Sequence, residues 1–287
     1  MASYGSIQTA TLDPGETAII ITKPSGLAAG DLMIALLAVT GPNESYTASG
    51  WDELFAQNIP NFNYKMNCLI KVADSADAAA TNFTFNVNAS GDSKVGALLR
   101  ITGTFSGTAN CTHDKDVVAA DTTPTFTGGV TPVGSTALLV MGCFSGTLGT
   151  SSAYAVANNN PTWTERADIS VNDVEDLSLS VATADYASAS ATGDYSLSIT
   201  DGTESGGYII AISDSSSVTV SPAVITMTAS VQAPSVSGSA NVSPAVITMT
   251  ATVQAPTVTT PDPDWVNTDK SATTSFTNQD KSWHLTN

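Results

Sequence analysis

Short apolar or alternating runs follow one another from Ser6 to Ser213, separated by clusters of Gly, Pro, Asn, Asp and Ser. Runs of this length are typical of β-strands, and no segment keeps a helical period. The predicted strands are TAIIIT, DLMIALLAV, YKMNCLIKV, NFTFNV, VGALLRI, TALLVMGCF, DLSLSVAT, DYSLSI and GYIIAI. Regularly spaced short strands with turns between them predict an all-β protein of antiparallel sandwiches or jelly rolls.

The same order of runs occurs twice. AGDLMIALLAVTG at 29–41 resembles VGSTALLVMGCFSG at 133–146, and each is followed by a Trp-x-Glu triplet, at Trp51 and at Trp163. The later runs then match in order: MNCLIKVAD with LSLSVATAD, NFTFNV with DYSLSI, and GALLRI with GYIIAI. We therefore predict two tandem antiparallel β-sandwich repeats of jelly-roll type, residues 1–106 and 107–214, sitting side by side.

A different repeat follows at residues 215–260, which contain no charged residue. SPAVITMTASVQAP at 221–234 recurs as SPAVITMTATVQAP at 243–256, twenty-two residues later. Apolar and hydroxyl residues alternate in each copy, which is the period of a strand. Valines also recur at steps of eleven residues, a length that suits one strand and one turn. The pattern predicts an extended, repetitive β-stalk.

The apolar face of this stalk needs a partner, because an isolated β-hairpin is marginal in water. The candidate interface residues are Ile225, Met227, Val231, Ile247, Met249 and Val253. Three partners could cover this apolar face: other copies of this chain in a trimeric stalk, the preceding sandwich, or another protein of a large assembly. Repetition favours the homotrimer, since stacked identical units satisfy one another. A flexible Ser/Thr/Pro linker is the alternative, which the strict alternation disfavours.

Residues 261–287 form a predicted small C-terminal β module. WVNTDKS at 265–271 and FTNQDKS at 276–282 are eleven residues apart, and Trp283 begins what would be a third copy. Trp265, Phe276 and Trp283 are therefore either the core of a terminal β-tip or an exposed binding surface.

Charge narrows the classes of partner. Charged residues make up only 12% of the 287 residues, with 26 acidic against 9 basic side chains. This acidity disfavours direct contact with nucleic acid or an anionic lipid surface. The longest apolar run is too short to span a bilayer, and the first residues lack the pattern of a secretory signal. We expect the chain to fold in the cytoplasm, with its three cysteines reduced.

Two groups of side chains could form a catalytic or metal-binding site. Glu53 and Glu165 could act as an acid and base beside Trp51 and Trp163, but their equivalent places in two repeats favour a structural role for the carboxylates. The two tryptophans remain possible contacts for a host surface glycan. CTHDKD at 111–116 combines metal-ligand types, but its spacing matches no known zinc pattern, so we expect a solvated polar loop between the sandwiches. We predict no enzyme activity, no cofactor and no metal.

The pattern ITKPSGLAAGDLMIALLAV, SGWDELF, YKMNCLIKVADSAD and FTFNVNASGDSKVGALLRITG resembles a β-rich domain of structural proteins from tailed phages and prophages. The tail, with its VSPAVITMTATVQAP units, is similar to modular C-terminal extensions of such proteins. The resemblance implies a non-enzymatic virion component, either a head fibre or capsid decoration protein or a receptor-binding tail fibre. It would contact other virion proteins, such as major capsid or tail proteins. The resemblance implies no catalytic residue.

Overall fold

The structure, a computed structural model, describes residues 1–12, 15–41, 44–59, 63–87, 93–172, 176–200 and 204–214, and two later strands at 225–231 and 247–253. The chain divides into two compact units, Met1–Ser215 and Ser216–Asn287. The described residues lie mostly in β-strands of antiparallel sheets, so the all-β prediction is confirmed.

The first part of the larger unit contributes two sheets. Its elements are β1 (Ser3–Leu12), β2 (Ala18–Thr22), β3 (Leu32–Thr40), β4 (Tyr46–Thr47), β5 (Asp52–Ile59), β6 (Tyr64–Val72), α1 (Ser75–Ala79), β7 (Asn82–Val87) and β8 (Lys94–Thr102). Strands β1-β8-β3-β6-β5 form a five-stranded sheet, the first inner sheet, and β2-β7-β4 form the first outer sheet. The helix α1 begins with a capping box in which Asp74 and Asp77 bind each other's backbone N–H groups.

The second part contributes two further sheets with the same strand order. After a 3-10 turn (Gly107–Asn110) come β9 (Cys111–Val118), β10 (Thr125–Phe126), β11 (Ala137–Ser145), β12 (Ser151–Val156), β13 (Thr164–Val171), β14 (Leu177–Tyr186), β15 (Tyr195–Ile199) and β16 (Ser205–Ile212). Strands β9-β16-β11-β14-β13 form the second inner sheet, and β10-β15-β12 form the second outer sheet. Each strand of the first part thus has its counterpart eight strands later.

The four sheets stack as layers, outer, inner, inner, outer, with a hydrophobic core between each pair of neighbours. Strand β3 shows this layering residue by residue. Ile34 and Leu36 belong to the core shared with the second inner sheet, whereas Met33 and Leu37 belong to the core shared with the first outer sheet. A central strand that is buried on both faces must be apolar at successive positions, which explains the run LMIALLAV.

The two inner sheets therefore pack face to face, which corrects the expectation that two sandwiches sit side by side. The Tyr64 hydroxyl of the first part donates towards the carbonyl oxygens of Phe144 (3.1 Å) and Glu204 (3.0 Å) in the second part. A Cβ atom at Gly206 would overlap the side chain of Ile59, so glycine lets the two sheets approach closely here. The parts share one core instead of meeting at a polar surface.

All strands that the sequence analysis named are present, and the strands that it missed lie at sheet edges. These are β1, β4, β5, β9, β10, β12 and β13. The expectation of a polar loop at CTHDKD was wrong, because these residues form most of edge strand β9. An edge strand of an inner sheet has polar residues on part of its surface, so its apolar signal is weak. The short helix α1 was also missed.

In the smaller unit, the two copies of the repeat pair with each other as antiparallel strands. Strand β17 (Ile225–Val231) lies beside β18 (Ile247–Val253), with Ile225 opposite Val253 and Val231 opposite Ile247. Met227 and Met249 lie opposite alanines of the other copy. The register therefore pairs apolar residues with apolar residues, and all six predicted interface residues belong to these pairs. The eleven-residue half-step and the module at 261–287 lie outside the described residues.

Candidate functional site

The two equivalent tryptophans have different surroundings. The Trp51 ring packs edge-on against Phe83 and Phe85 of the first outer sheet, with centroid distances of 5.9 and 5.1 Å. The Trp163 ring lies tilted by 39° against Tyr154, at 6.4 Å, and its Nε1–H donates to Asn160 Oδ1 at 3.1 Å. Both indoles are half-buried, and Trp163 in addition lines an open groove.

This groove, the Trp163 groove, lies between β12 and the start of β13 and has a volume of about 340 Å³. It is lined by Ser152, Ala153, Tyr154, Pro161, Trp163 and Glu165. Both strands carry a β-bulge at this place, between Ser152 and Ala155 in β12 and between Glu165 and Ala167 in β13. Bulges change the direction in which side chains point, and here they border an aromatic groove with a carboxylate at its rim.

Glu53 and Glu165 occupy matching positions, each at a bulge in the fifth strand of an inner sheet. The structure does not bring them together: β5 packs opposite β9 and β13 packs opposite β1, so the two strands lie at opposite edges of the layered unit. Glu53 Oε2 accepts from Asn67 Nδ2 at 3.3 Å, which ties it to the neighbouring strand β6. Glu165 is exposed at the groove.

A second carboxylate lies close to Glu165. Burial raises the pKa of Asp168; the Ser151 N–H, which donates to Asp168 Oδ2 at 2.6 Å, lowers it, and the negative Glu165 raises it further. Asp168 thereby holds the first residue of β12 against β13, and it adds negative potential on this side of the second outer sheet.

The residues of CTHDKD point to opposite faces of β9 and do not form a metal site. His113 stacks on Phe55 at 5.4 Å, while Lys115 Nζ donates to the Ala56 carbonyl oxygen. On the other face, Asp114 Oδ2 accepts from Gly129 N at 2.8 Å, and Asp116 binds Thr127 in the same way. Within the described ranges, no group of three metal-ligand side chains converges.

His113 is the one histidine that the described residues include. Burial lowers its pKa, the positive Lys115 lowers it further, and Asp114 acts in the opposite direction. Its ring stays largely exposed and stacks on Phe55 of β5, so it adds one contact between the two parts of the unit.

A second cavity, of about 240 Å³, lies on the other side of β13. There the guanidinium of Arg166 sits over the Tyr4 ring at 3.9 Å, and its Nε–H donates to Thr183 Oγ1 at 2.7 Å. Tyr4 belongs to β1 and Arg166 to β13, so this contact fastens the first inner sheet to the second.

The cysteines are free thiols. Cys68 and Cys143 are fully buried, and burial raises the pKa of Cys143 to about 11. Trp265, Phe276 and Trp283 lie outside the described residues. Among the residues that the structure describes, no helix is long and apolar enough to cross a membrane.

The fold and these contacts define a layered all-β protein in which most polar candidates hold strands together. Comparison with protein-family models, curated proteins and solved structures gave no match. The sequence pattern pointed to Trp163 but gave no sign of Ser152, Ala153 and Tyr154. Their run SSAYAV alternates too briefly to predict a strand, and a bulge has no sequence signature of its own.

Proposed function

We propose that this protein is a non-enzymatic structural component of a tailed-phage virion, a head fibre or capsid decoration protein. In this proposal two tandem jelly-roll-like sandwiches anchor on the particle, and the uncharged repeats form a β-stalk or strap that contacts other copies or other virion proteins. The pairing of β17 with β18 is the observation that carries the proposal.

The two copies form a two-stranded ribbon in which Ile, Met, Ala and Val pair only with one another. Such a ribbon cannot bury one face by itself, because a core needs a second layer. An uncharged strand-forming segment that stays uncovered is an aggregation hazard. A trimer of the same chain, assembled into a particle, would supply the cover.

The arrangement of acidic groups supports a role without catalysis. Glycosidases place two carboxylates about 5 to 10 Å apart across the scissile bond. Glu53 and Glu165 lie at opposite edges of the larger unit instead, and Glu53 is bound to Asn67. The net charge of -17 also favours an exposed position on a particle over contact with packaged DNA.

Light scattering on the full-length protein tests the oligomer. We expect a trimer that Met249→Asp dissociates, because the aspartate would place a charge in the apolar pair with Ala229. Thr250→Asp, in the hydroxyl pair with Thr228, is the matched control and should leave the trimer intact. A monomeric wild-type protein whose residues 216–287 are cut rapidly by protease would contradict the stalk. Labelling of the C-terminus on intact particles then distinguishes head from tail.

A carbohydrate-binding adhesin or receptor-binding tail fibre is the second candidate. The observation that favours it is the open groove beside Trp163 and Tyr154. This candidate and the structural one are compatible, since a particle protein can also contact a host surface.

A further inference from the structure

The Trp163 groove combines the two kinds of surface that a sugar requires. The half-buried Trp163 ring supplies an apolar face, which the buried Tyr154 supports from behind, and the exposed Ser152 and Glu165 supply a hydroxyl and a carboxylate at the rim. The C–H face of a pyranose packs on an aromatic ring, while its hydroxyls donate to carboxylate oxygens. The volume of about 340 Å³ lies at the small end of ligand sites, which suits a mono- or disaccharide unit.

Backbone strain at the groove is a separate observation. Ala153 lines the groove with a φ of 52°, in the left-handed region that an alanine rarely adopts. A non-glycine residue in this region is strained, because its Cβ atom lies too close to the following carbonyl oxygen. Residues held in such conformations concentrate at binding sites, where the strain fixes a required geometry. Here it sets the bulge that brings the next residue, Tyr154, beside Trp163.

Among the described residues of the first part, Trp51 lies in no equivalent arrangement. The counterpart of β12 there is β4, which is only two residues long, and no bulge occurs in its pairing with β7. Trp51 instead packs on Phe83 and Phe85. The two parts share their strand order but differ here, so the extended β12 is not a requirement of the fold.

Charge narrows the ligand further. Glu165 lines the groove, Asp168 lies near it, and the whole chain carries a net charge of -17. An anionic sugar would be repelled by this potential. We propose that the Trp163 groove binds a neutral saccharide, with the sugar ring against Trp163 and its hydroxyls donating to Glu165.

Saturation-transfer NMR on the full-length protein tests this proposal with maltose, cellobiose, lactose and diacetylchitobiose, and with sialyllactose as the anionic comparison. We expect transfer to at least one neutral disaccharide and none to sialyllactose. Trp163→Ala should weaken binding by about tenfold or more, equivalent to about 1.4 kcal/mol. Trp51→Ala, the matched control in the other part, should leave the affinity unchanged.

Glu165→Gln provides a second test if Trp163→Ala does not fold, because Glu165 is exposed and its replacement keeps the shape. It should weaken binding, whereas Glu53→Gln should not. Absence of binding by every neutral sugar, a preference for sialyllactose, or equal losses in the Trp51 and Trp163 variants would each overturn the proposal. The oligomer measured by light scattering has no bearing on this result, so failure of the virion role and failure of the sugar site are distinguishable.

Discussion

Tyr64 offers the sharpest test of the shared core between the two inner sheets. Its side chain is fully buried, and its hydroxyl is directed at the carbonyl oxygens of Phe144 and Glu204 in the other part of the unit. Tyr64→Phe removes a donor that both carbonyl oxygens share, while these acceptors stay buried at the interface. Loss of such a partner costs about 1 to 3 kcal/mol. We expect the free energy of unfolding of the larger unit to fall by that amount.

The assay is urea denaturation followed by tryptophan fluorescence. Replacing Trp265 and Trp283 by Phe, together with either Trp51 or Trp163, gives two single-tryptophan variants. One variant keeps its reporter in the first part of the unit, and the other keeps it in the second. Because the inner sheets share one core, we expect the two reporters to give the same midpoint, and Tyr64→Phe to lower both equally. The slope with urea should match an unfolding unit of about 215 residues.

Tyr46→Phe is the matched control. Tyr46 is equally buried, and its hydroxyl donates to the Ala38 carbonyl oxygen at 3.1 Å within the first part. In one cooperative unit this variant also lowers both midpoints. If the two parts unfold independently, Tyr46→Phe shifts only the Trp51 reporter. Separate midpoints, or a Trp163 reporter that ignores Tyr64→Phe, would refute the shared core.

Three further outcomes follow from the larger unit. Gly142→Ala should abolish folding or lower the free energy of unfolding by about 3 kcal/mol or more, because its Cβ would overlap the Ser180 carbonyl oxygen; denaturant titration measures this. Cys143, whose pKa is raised to about 11 by burial, and the buried Cys68 should react with a disulfide reagent far more slowly in the native protein than in urea, and equal rates would contradict their burial. The pKa of His113 is lower in the folded than in the unfolded protein, so unfolding takes up a proton. The free energy of unfolding should therefore fall as the pH drops through about 6.5. Thermal melts at several pH values measure this, and His113→Gln should weaken the pH dependence.

The sequence alone determined the central strands. LMIALLAV and ALLVMGCF are apolar on both faces, which only a strand with a layer on each side requires, and they became β3 and β11. The recurrence of matching runs also predicted two parts with corresponding strands. These apolar runs are local signals, because each apolar residue indicates only that its own side chain is buried.

Edge strands were harder to predict because their burial depends on distant residues. CTHDKD has the pattern of a polar loop, yet β9 pairs with β16, and the exposed His113 and half-buried Lys115 both contact Phe55 of β5. The polar residues are tolerated there because each finds a specific partner, such as Gly129 for Asp114. The six residues of CTHDKD alone do not indicate these distant hydrogen-bond partners.

Only the tertiary structure decided what lies against each apolar face. An alternating pattern states that a face is buried, but the register and stacking of sheets determine whether an outer sheet or the other half of the chain covers it. The two tryptophans differ for the same reason, although Trp51 and Trp163 have equivalent sequence positions. Trp51 packs against Phe85 of a neighbouring strand, whereas Trp163 lines an open groove. Sequence specifies which side chains avoid water, whereas long-range packing selects their neighbours.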